Sequence, residues 1–308
     1  MDKYLGDLFH SDGLSASVDA TVSARTGKTK GAIMEVAAVI EDMRMQVIGG
    51  MMGAWDLWNH AIVPSLLSNC GTWMEISDTT VNKLEELQNL MVRRMLCVPE
   101  STSVVALRAE AGLLSMKHRI WLENVALAMA IRKMPESHLS KQVMEEQMMR
   151  GWPGLAKEVM DICEEIEIPN VLAQNIPKCK VKQAIYNHHN NEIKYEMKDK
   201  KKLKNICQEN FKEPKSYMKS KCLEDSRVMF RIRTNMVLLK ENMKQSHKGN
   251  LICPGCMKPG TQENQTHVMV CEAYESLRAG LKMENDIDLV TYFQRIMRVR
   301  EVILRKRK

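Results

Sequence analysis

The chain has 308 residues, 44% hydrophobic and 27% charged, which is typical of a folded protein long enough for two domains. No apolar run approaches the ~20 residues needed to cross a bilayer, and the acidic N-terminus lacks the apolar segment of a secretion signal. Nine cysteines, an odd number, favour free thiols or a metal site in a reducing compartment. We therefore expect an intracellular protein, nuclear or cytoplasmic, without a membrane partner.

The first eleven residues and the segment after them predict a strand followed by a helical hairpin. The stretch "KYLGDLFHSDG" places apolar side chains before a Ser-Asp-Gly turn, which predicts a short strand or hairpin arm over 1–11 with no partner strand nearby. Apolar residues recur at helical spacing over 14–22. The "RTGKTKG" segment then predicts a break, and a second helix is expected over 32–47.

Helical periodicity continues beyond Gly50 and predicts a mainly α protein, with a helical bundle over 12–166. Pro64 should kink or restart its helix. Ser77 is a good N-terminal cap for the next helix, and Gly112 is a good C-terminal stop for the one after it. The predicted core faces comprise Trp55, Trp58 and Ile62; Leu84, Leu87, Met91 and Met95; and Trp121, Val125 and Ala128. Many of the 25 methionines fill such faces, with a methionine-lined groove as the alternative.

The net charge changes from negative to positive along the chain, and the change distinguishes the C-terminal part from the helical bundle. The net charge is −6 over 1–178, +10 over 179–250 and +3 over 251–308. Residues 167–225 read as a linker and a basic arm, because they are polar and lack strong apolar periodicity. A polyanionic partner would therefore bind the C-terminal part.

Basic side chains in this part are candidate phosphate contacts, although a charged segment that only faces solvent is the alternative. One group lies in the arm and the other on a helix that begins near residue 226. The candidates are Lys198, Lys200, Lys201, Lys202 and Lys204 in the arm, and Arg231, Arg233 and Lys240 on the helix. The apolar stripe of that helix is Met229, Ile232, Met236 and Leu239.

The stretch "LICPGCMKPGTQENQTHVMVC" predicts a metal site. Cys253 and Cys256 flank a Pro-Gly turn, and His267 and Cys271 lie four apart, on one face of a helix expected to continue through Leu281. Such spacing supplies four ligands for a tetrahedral Zn²⁺ ion and leaves no open position, so the zinc would be structural. The alternative is two ordinary buried thiols and a histidine that caps a helix.

Other titratable side chains give weaker signals. The adjacent histidines His188 and His189 point to different faces and are expected to be solvated residues of the arm, not ligands. Three cysteines lie within helical patterns and are expected to be buried and inert: Cys70, Cys97 and Cys163. The terminal "RKRK" is either a nuclear address or phosphate clamp, or a frayed end.

The sequence contains no catalytic motif. Two-metal nucleotidyl transfer needs paired carboxylates, but the chain has no Asp-Asp pair. It also lacks a phosphate-binding G-x-x-x-x-G-K loop, a G-x-S-x-G elbow and an H-E-x-x-H helix. The residues alone therefore predict a helical domain joined to a basic, zinc-stapled module that binds nucleic acid.

Several stretches together resemble the C-terminal part of reverse transcriptases encoded by non-LTR retrotransposons. They are "KYLGD" at 3–7, "LWNHAIVPSLLSNCGTW" at 57–73, "LEELQNLMVRRML" at 84–96, "ALRAEAGLLSMKHRI" at 106–120, and the Cys-Cys-His-Cys cluster. In that family the "KYLG" segment follows the catalytic palm, thumb helices come next, and a CCHC zinc knuckle follows. The order is the same here, and only the cysteine and histidine spacing is specific as a motif.

This resemblance implies a truncated fragment without a polymerase centre, because the family's catalytic carboxylates lie in an upstream Tyr-x-Asp-Asp turn. It divides the chain into a palm-end strand remnant over 1–11, a thumb-like domain over 12–166, a linker and basic arm over 167–225, and a zinc-knuckle module over 226–308. The hypothesis is that the fragment binds element RNA or target DNA. The alternatives are a zinc-containing protein-interaction module and a retroelement remnant without function.

Overall fold

The fold is mainly α-helical, as the sequence predicts, in a computed structural model. It describes residues 2–4, 7–9, 11–42, 50–219, 222–243 and 251–305. The chain forms two compact units. The first comprises Met1–Met45, Gly53–Glu196 and Asn210–Pro214, and the second comprises Gln46–Met52, Met197–Glu209 and Lys215–Lys308.

Two strands and thirteen α-helices are present within the described ranges. Up to residue 197 they are β1 (Asp2–Tyr4), β2 (Asp7–Phe9), α1 (Leu14–Asp42), α2 (Gly50–Leu57), α3 (Val63–Leu66), α4 (Asp78–Leu96), α5 (Val104–Ala111), α6 (Met116–Arg132), α7 (Leu139–Arg150), α8 (Leu155–Glu165) and α9 (Lys178–Met197). After it they are α10 (Leu223–Arg233), α11 (Gln265–Val270), α12 (Glu275–Arg278) and α13 (Asp286–Arg305). No helix of the described chain is both long and apolar enough to span a bilayer.

The N-terminal strand is one arm of a hairpin, so the expectation that it has no partner strand nearby is wrong. β1 pairs antiparallel with β2, and Lys3 lies opposite Leu8. The backbone N–H of Leu8 donates to Thr21 Oγ1 at 2.8 Å, and the guanidinium of Arg25 binds the Asp7 carboxylate at 2.6 Å. The following strand therefore supplies the backbone partners, and α1 anchors the hairpin.

α1 is one helix over Leu14–Asp42, and the predicted break at "RTGKTKG" does not occur. The end of the predicted second helix, residues 43–47, lies outside the described residues. Val22 and Ile33, on either side of the glycines, are fully buried, and α1 packs along α4. Each interior glycine costs about 1 kcal/mol relative to alanine, but burying one such apolar side chain contributes about 1.5–3 kcal/mol. Packing along the whole face therefore keeps the helix continuous.

Local end signals in the bundle act as the sequence predicts. A π-helical turn over Trp58–Ile62 joins α2 to α3, and the helix restarts with Pro64 in the first turn of α3. Ser77 Oγ accepts a hydrogen bond from the backbone N–H of Thr80 at 3.2 Å and caps α4. Gly112 ends α5 at φ +58°, and a Cβ there would lie 2.0 Å from the backbone of Glu213, so only glycine fits.

Residues 178–197 form a 20-residue helix, α9, where the sequence predicts a flexible arm or short helices. Its apolar residues are few but lie four apart on one face, and Val181 and Ile185 are at most 2% exposed in the core around Val159 and Ile162. Because most residues of this segment are polar, the narrow apolar stripe gives only a weak helical signal in the sequence. The first unit therefore extends to Glu196, beyond the boundary predicted at residue 166.

The second unit has its own core around α10 and α13. Phe230, Tyr292, Phe293 and Ile296 are fully buried there. The predicted stripe of basic and apolar residues after residue 226 is only partly one helix, because α10 ends at Arg233. The chain turns after it, with Asn235 in the left-handed region at φ +53°.

Candidate metal centre and basic surface

The first two cysteines of the cluster lie in a tight hairpin, residues 251–263. Cys253 donates its backbone N–H to Thr261 O at 3.0 Å, and Ile252 forms an antiparallel bridge with Gln262. The turn itself is closed by the backbone N–H of Met257, which donates to Cys253 O at 3.0 Å. This hairpin fixes Cys253 and Cys256 at the two ends of the Pro-Gly turn.

Gly255 permits the close approach of this turn to the rest of the unit. A Cβ at this position would lie 2.8 Å from Cζ of Tyr274, a fully buried ring. Any larger residue would push the turn and the ring apart. The Pro-Gly pair of the motif is therefore needed for packing as well as for the turn.

His267 lies in the short helix α11, and Cys271 follows its end. Asn264 Oδ1 accepts the backbone N–H of His267 at 2.8 Å and caps the helix. Cys271 has an extended backbone, with ψ at 125°, so the prediction of one helix continuing through Leu281 is wrong. Two backbone carbonyls that would accept helical hydrogen bonds in a continuous helix accept side-chain hydrogen bonds instead. Tyr292 Oη donates to Val268 O at 2.6 Å, and Arg278 donates to Cys271 O at 3.0 Å.

The four predicted ligands converge. Their ligand atoms all lie within 4.8 Å of one another, with Cys253 Sγ 4.0 Å from Cys271 Sγ and Cys256 Sγ 3.6 Å from His267 Nε2. Cys253 and Cys271 are at most 2% exposed, while the other two are half-buried. This cluster can hold a metal ion.

The protein environment separates the acidities of two of the thiols. Burial raises the pKa of Cys271 to about 11. Burial also opposes ionisation of Cys256, but the backbone N–H of Lys258 and the neighbouring thiols donate to its sulfur and hold its pKa below the usual cysteine range. Cys256 therefore offers a thiolate more readily than Cys271.

A buried ion pair supports the hairpin, and the sequence gives little indication of it. Glu263 is 0% exposed and Arg300 is 4% exposed, and they are 2.6 Å apart. The second Glu263 oxygen accepts the backbone N–H of Lys240 at 2.8 Å. Glu263 and Arg300 are 37 positions apart in the chain, so no local pattern relates them.

The predicted phosphate contacts fall into two sets. Lys198, Lys200, Lys201, Lys202 and Lys204 are all exposed, and Lys202 Nζ donates to Asn242 Oδ1. Asn242 in turn donates to Val237 O at 2.8 Å. These hydrogen bonds link the basic segment, residues 198–204, to residues 237–242. That segment precedes the knuckle, residues 251–271, in the chain.

The basic residues predicted on the helix are differently placed. Lys240 is 8% exposed, and its ammonium donates to Ile252 O at 2.9 Å. It braces the hairpin and is not available to phosphate in this arrangement. Arg233 binds the Glu209 carboxylate at 2.6 Å, and Arg231 is half-buried.

Two of the weaker sequence interpretations need correction. His189 is not solvated but 4% exposed, and it contacts the fully buried His118, which sequence reasoning missed. Cys97 is exposed at the end of α4, in the left-handed conformation. Cys70 and Cys163 are buried as predicted, and burial raises the pKa of Cys70 to about 12.

Comparison of the chain with protein-family models, with curated proteins and with solved structures finds no match.

Proposed function

We propose that this chain binds nucleic acid, RNA or DNA, through a zinc-stapled knuckle and the basic segment, and that it is related to the C-terminal part of non-LTR retrotransposon reverse transcriptases. That relation is supported by the stretches of the sequence that resemble the family. The binding activity is supported by the convergence of four ligand atoms in a unit that also carries the basic segment with its five exposed lysines.

The ion that we propose for the knuckle is Zn²⁺. A tetrahedral zinc site with Zn–S near 2.3 Å and Zn–N near 2.0 Å has S···S edges of about 3.8 Å and S···N edges of about 3.5 Å. The corresponding distances here are 4.0 and 3.6 Å. Three thiolates and one imidazole favour zinc over the hard cations, which prefer oxygen. With four protein ligands, the ion holds the fold and does no chemistry.

Phosphate is the nucleic-acid group that this surface would contact. Lysine is a flexible point charge, and several exposed lysines in one short segment attract a backbone without reading its sequence. Counterions released from the nucleic acid then make the affinity fall steeply with salt. Binding without strong sequence preference is therefore expected.

The test is a salt titration of binding to a single-stranded RNA and to a DNA duplex. A K198Q/K200Q/K201Q/K204Q variant keeps Lys202, which contacts Asn242. We expect weaker binding and a log–log salt slope smaller in magnitude by about 3, since each lost contact removes about 0.7–0.9.

The matched control removes four exposed lysines from the first unit: Lys28, Lys30, Lys178 and Lys180. It changes the net charge equally, so nonspecific attraction alone would give both variants the same slope. An unchanged slope in the basic-segment variant contradicts the proposal. Binding of a protein partner that is insensitive to salt would favour the interaction-module alternative.

A further inference from the structure

We propose a second metal site in the first unit, formed by His118 Nε2, His189 Nδ1 and one carboxylate oxygen of Glu192. One ligand atom from each of the three residues lies within 4.8 Å of the other two. His118 is on α6, and the other two are on α9. The site would take a divalent cation of the zinc type, since two imidazoles and a carboxylate are ligands that Zn²⁺ accepts.

His189 supplies the strongest reason for a cation. Its Nε2–H donates to Leu113 O at 2.9 Å, because a carbonyl only accepts, and in the neutral ring this bond leaves the lone pair on Nδ1. Among the described residues, that buried Nδ1 has no hydrogen-bond partner. A metal-bound histidine commonly donates its other ring N–H to a backbone carbonyl in this way.

His118 has a matching arrangement. Its Nδ1 lies 2.6 Å from Ser115 Oγ, and when Nδ1–H donates to that oxygen, Nε2 carries the lone pair. Ser115 is the residue that caps α6, and its hydroxyl also accepts the backbone N–H of His118. Because the His118 ring is fully buried and its Nδ1 is bonded to Ser115, the direction of Nε2 is fixed.

The distances are close to those of a coordination polyhedron. Glu192 Oε2 lies 3.6 Å from His118 Nε2 and 3.9 Å from His189 Nδ1. A tetrahedral site with bonds of about 2.0–2.2 Å has edges of about 3.4 Å. The Glu192 side chain is 39% exposed, so its carboxylate can move the few tenths of an ångström that coordination requires. The same exposure gives an ion a path from solvent.

His188 is the group that must move. Its Nδ1 is 3.0 Å from His118 Nε2, the atom that would bind the metal. An imidazole nitrogen of His188 and the carboxylate oxygens of Glu165 and Glu192 also form a group within 4.8 Å. The ring therefore has acidic neighbours to bind when it releases His118. Three protein ligands leave the fourth position to water.

This inference is independent of the proposed nucleic-acid binding. The site would join α6 to α9 within the first unit, whereas the knuckle belongs to the second unit. The rival interpretation of the same side chains is a hydrogen-bonded network in which a protonated His189 binds Glu192.

The test is a cobalt(II) titration of the full chain after removal of metal with a chelator. Cobalt bound to thiolates absorbs in the near ultraviolet by charge transfer, whereas a site of nitrogen and oxygen ligands gives only weaker visible bands. We expect two cobalt ions per chain by elemental analysis, one with the thiolate band and one without it. A chain that binds cobalt only with the thiolate band overturns the proposal.

The variant Glu192→Gln keeps the shape of the side chain and removes its charge. We expect the thiolate-free cobalt to bind at least about 100-fold more weakly, because loss of a ligand exceeds the 10–100-fold effect of outer contacts. The control Glu196→Gln lies one turn further along α9 at an exposed position and should bind normally. If Glu192→Gln binds as well as the unchanged chain, the site is excluded.

Two further outcomes have definite meanings. His189→Gln removes a different ligand and should abolish the same cobalt signal, which guards against a folding effect of a single variant. If only the thiolate-free ion is bound, this second site stands and the zinc knuckle fails. If only the thiolate-bound ion is bound, the reverse holds.

Discussion

Glu263 is a fully buried carboxylate within the knuckle, and both of its oxygens are bound. One binds Arg300 at 2.6 Å, and the other accepts the backbone N–H of Lys240. Replacing Arg300 by methionine would leave a buried charge without its partner, which costs about 3–5 kcal/mol. We expect urea unfolding of the second unit to show a loss of that size.

The control for this prediction lies on the same helix. Arg305 binds Glu301, but both side chains are more than 60% exposed, so Arg305→Met should leave stability unchanged within error. Equal stability of the Arg300→Met variant and the unchanged chain would show that the buried Glu263 carboxylate does not depend on Arg300 for its stability.

Glu209 gives a prediction about pH. Burial alone would raise its pKa, but the cations of Lys215 and Arg233, 2.7 and 2.6 Å away, outweigh burial and hold the pKa below the usual carboxyl range. A lowered pKa means that the ion pairs contribute stability above the ordinary glutamate pKa, and that this contribution is lost as the pH falls through the folded value.

Glu209→Gln should therefore destabilise the second unit at pH 7 by about 1 kcal/mol or less, because the carboxylate is partly exposed and solvent screens it. The difference from the unchanged chain should shrink as the pH falls below the ordinary glutamate pKa. Thermal unfolding of both proteins at several pH values measures this stability difference. A difference that stays constant down to acid pH would exclude this role.

At the level of single elements, α1 shows how packing overrides a local signal. Gly27 and Gly31 lie in the interior of the helix, and a Cβ at either position would meet no atom within 4 Å. Alanine should stabilise the first unit by about 0.5–1 kcal/mol per position, because it lowers the conformational freedom of the unfolded chain.

The matched control for the two glycines is Gly71. A Cβ there would lie 3.1 Å from Glu123 O, so Gly71→Ala should bring no gain. Thermal unfolding compares the three variants. If Gly27→Ala and Gly31→Ala destabilise the protein, the helix is not continuous through these positions.

α9 shows the opposite case, in which the element decides the site. His189 falls in the same four-residue series as Val181, Ile185 and Ile193, so the buried face of the helix carries one histidine among apolar residues. Once the segment is a helix packed on the core, that histidine must be buried. Its environment follows from the helix and not from its neighbours in the sequence.

For the whole molecule, the division into two units predicts separate unfolding. Cys256→Ser removes one of the four proposed metal ligands. Metal binding to a module of this kind is coupled to its folding, so if the proposed ion is bound, the second unit should lose its structure. Residues 53–196 should keep theirs. Hydrogen exchange measured along the chain distinguishes the two units.

The control for this variant is Cys207→Ser, a cysteine of the second unit that is not among the four ligands. It should leave exchange unchanged. Loss of protection across the first unit in Cys256→Ser would show that the units fold together, and retained protection in both would show that metal is not required for folding.

The sequence by itself determined the features that depend on near neighbours. The helical class, the cap at Ser77, the restart at Pro64 and a Cys-Cys-His-Cys cluster that could hold a metal ion follow from spacing and residue type, since each is decided within a turn or a short loop. Cys253 and Cys256 are held by a single hairpin, so their pairing is readable as a motif.

Only the tertiary structure decided what depends on packing between distant residues. It kept α1 continuous across two glycines, made α9 a buried helix, and moved Lys240 from a predicted phosphate contact to a brace of the hairpin. It also brought together His118 and His189, which are far apart in the chain. The reason is the same in each case: burial of apolar faces and pairing of buried polar groups outweigh local propensity, and neither is visible until distant segments meet.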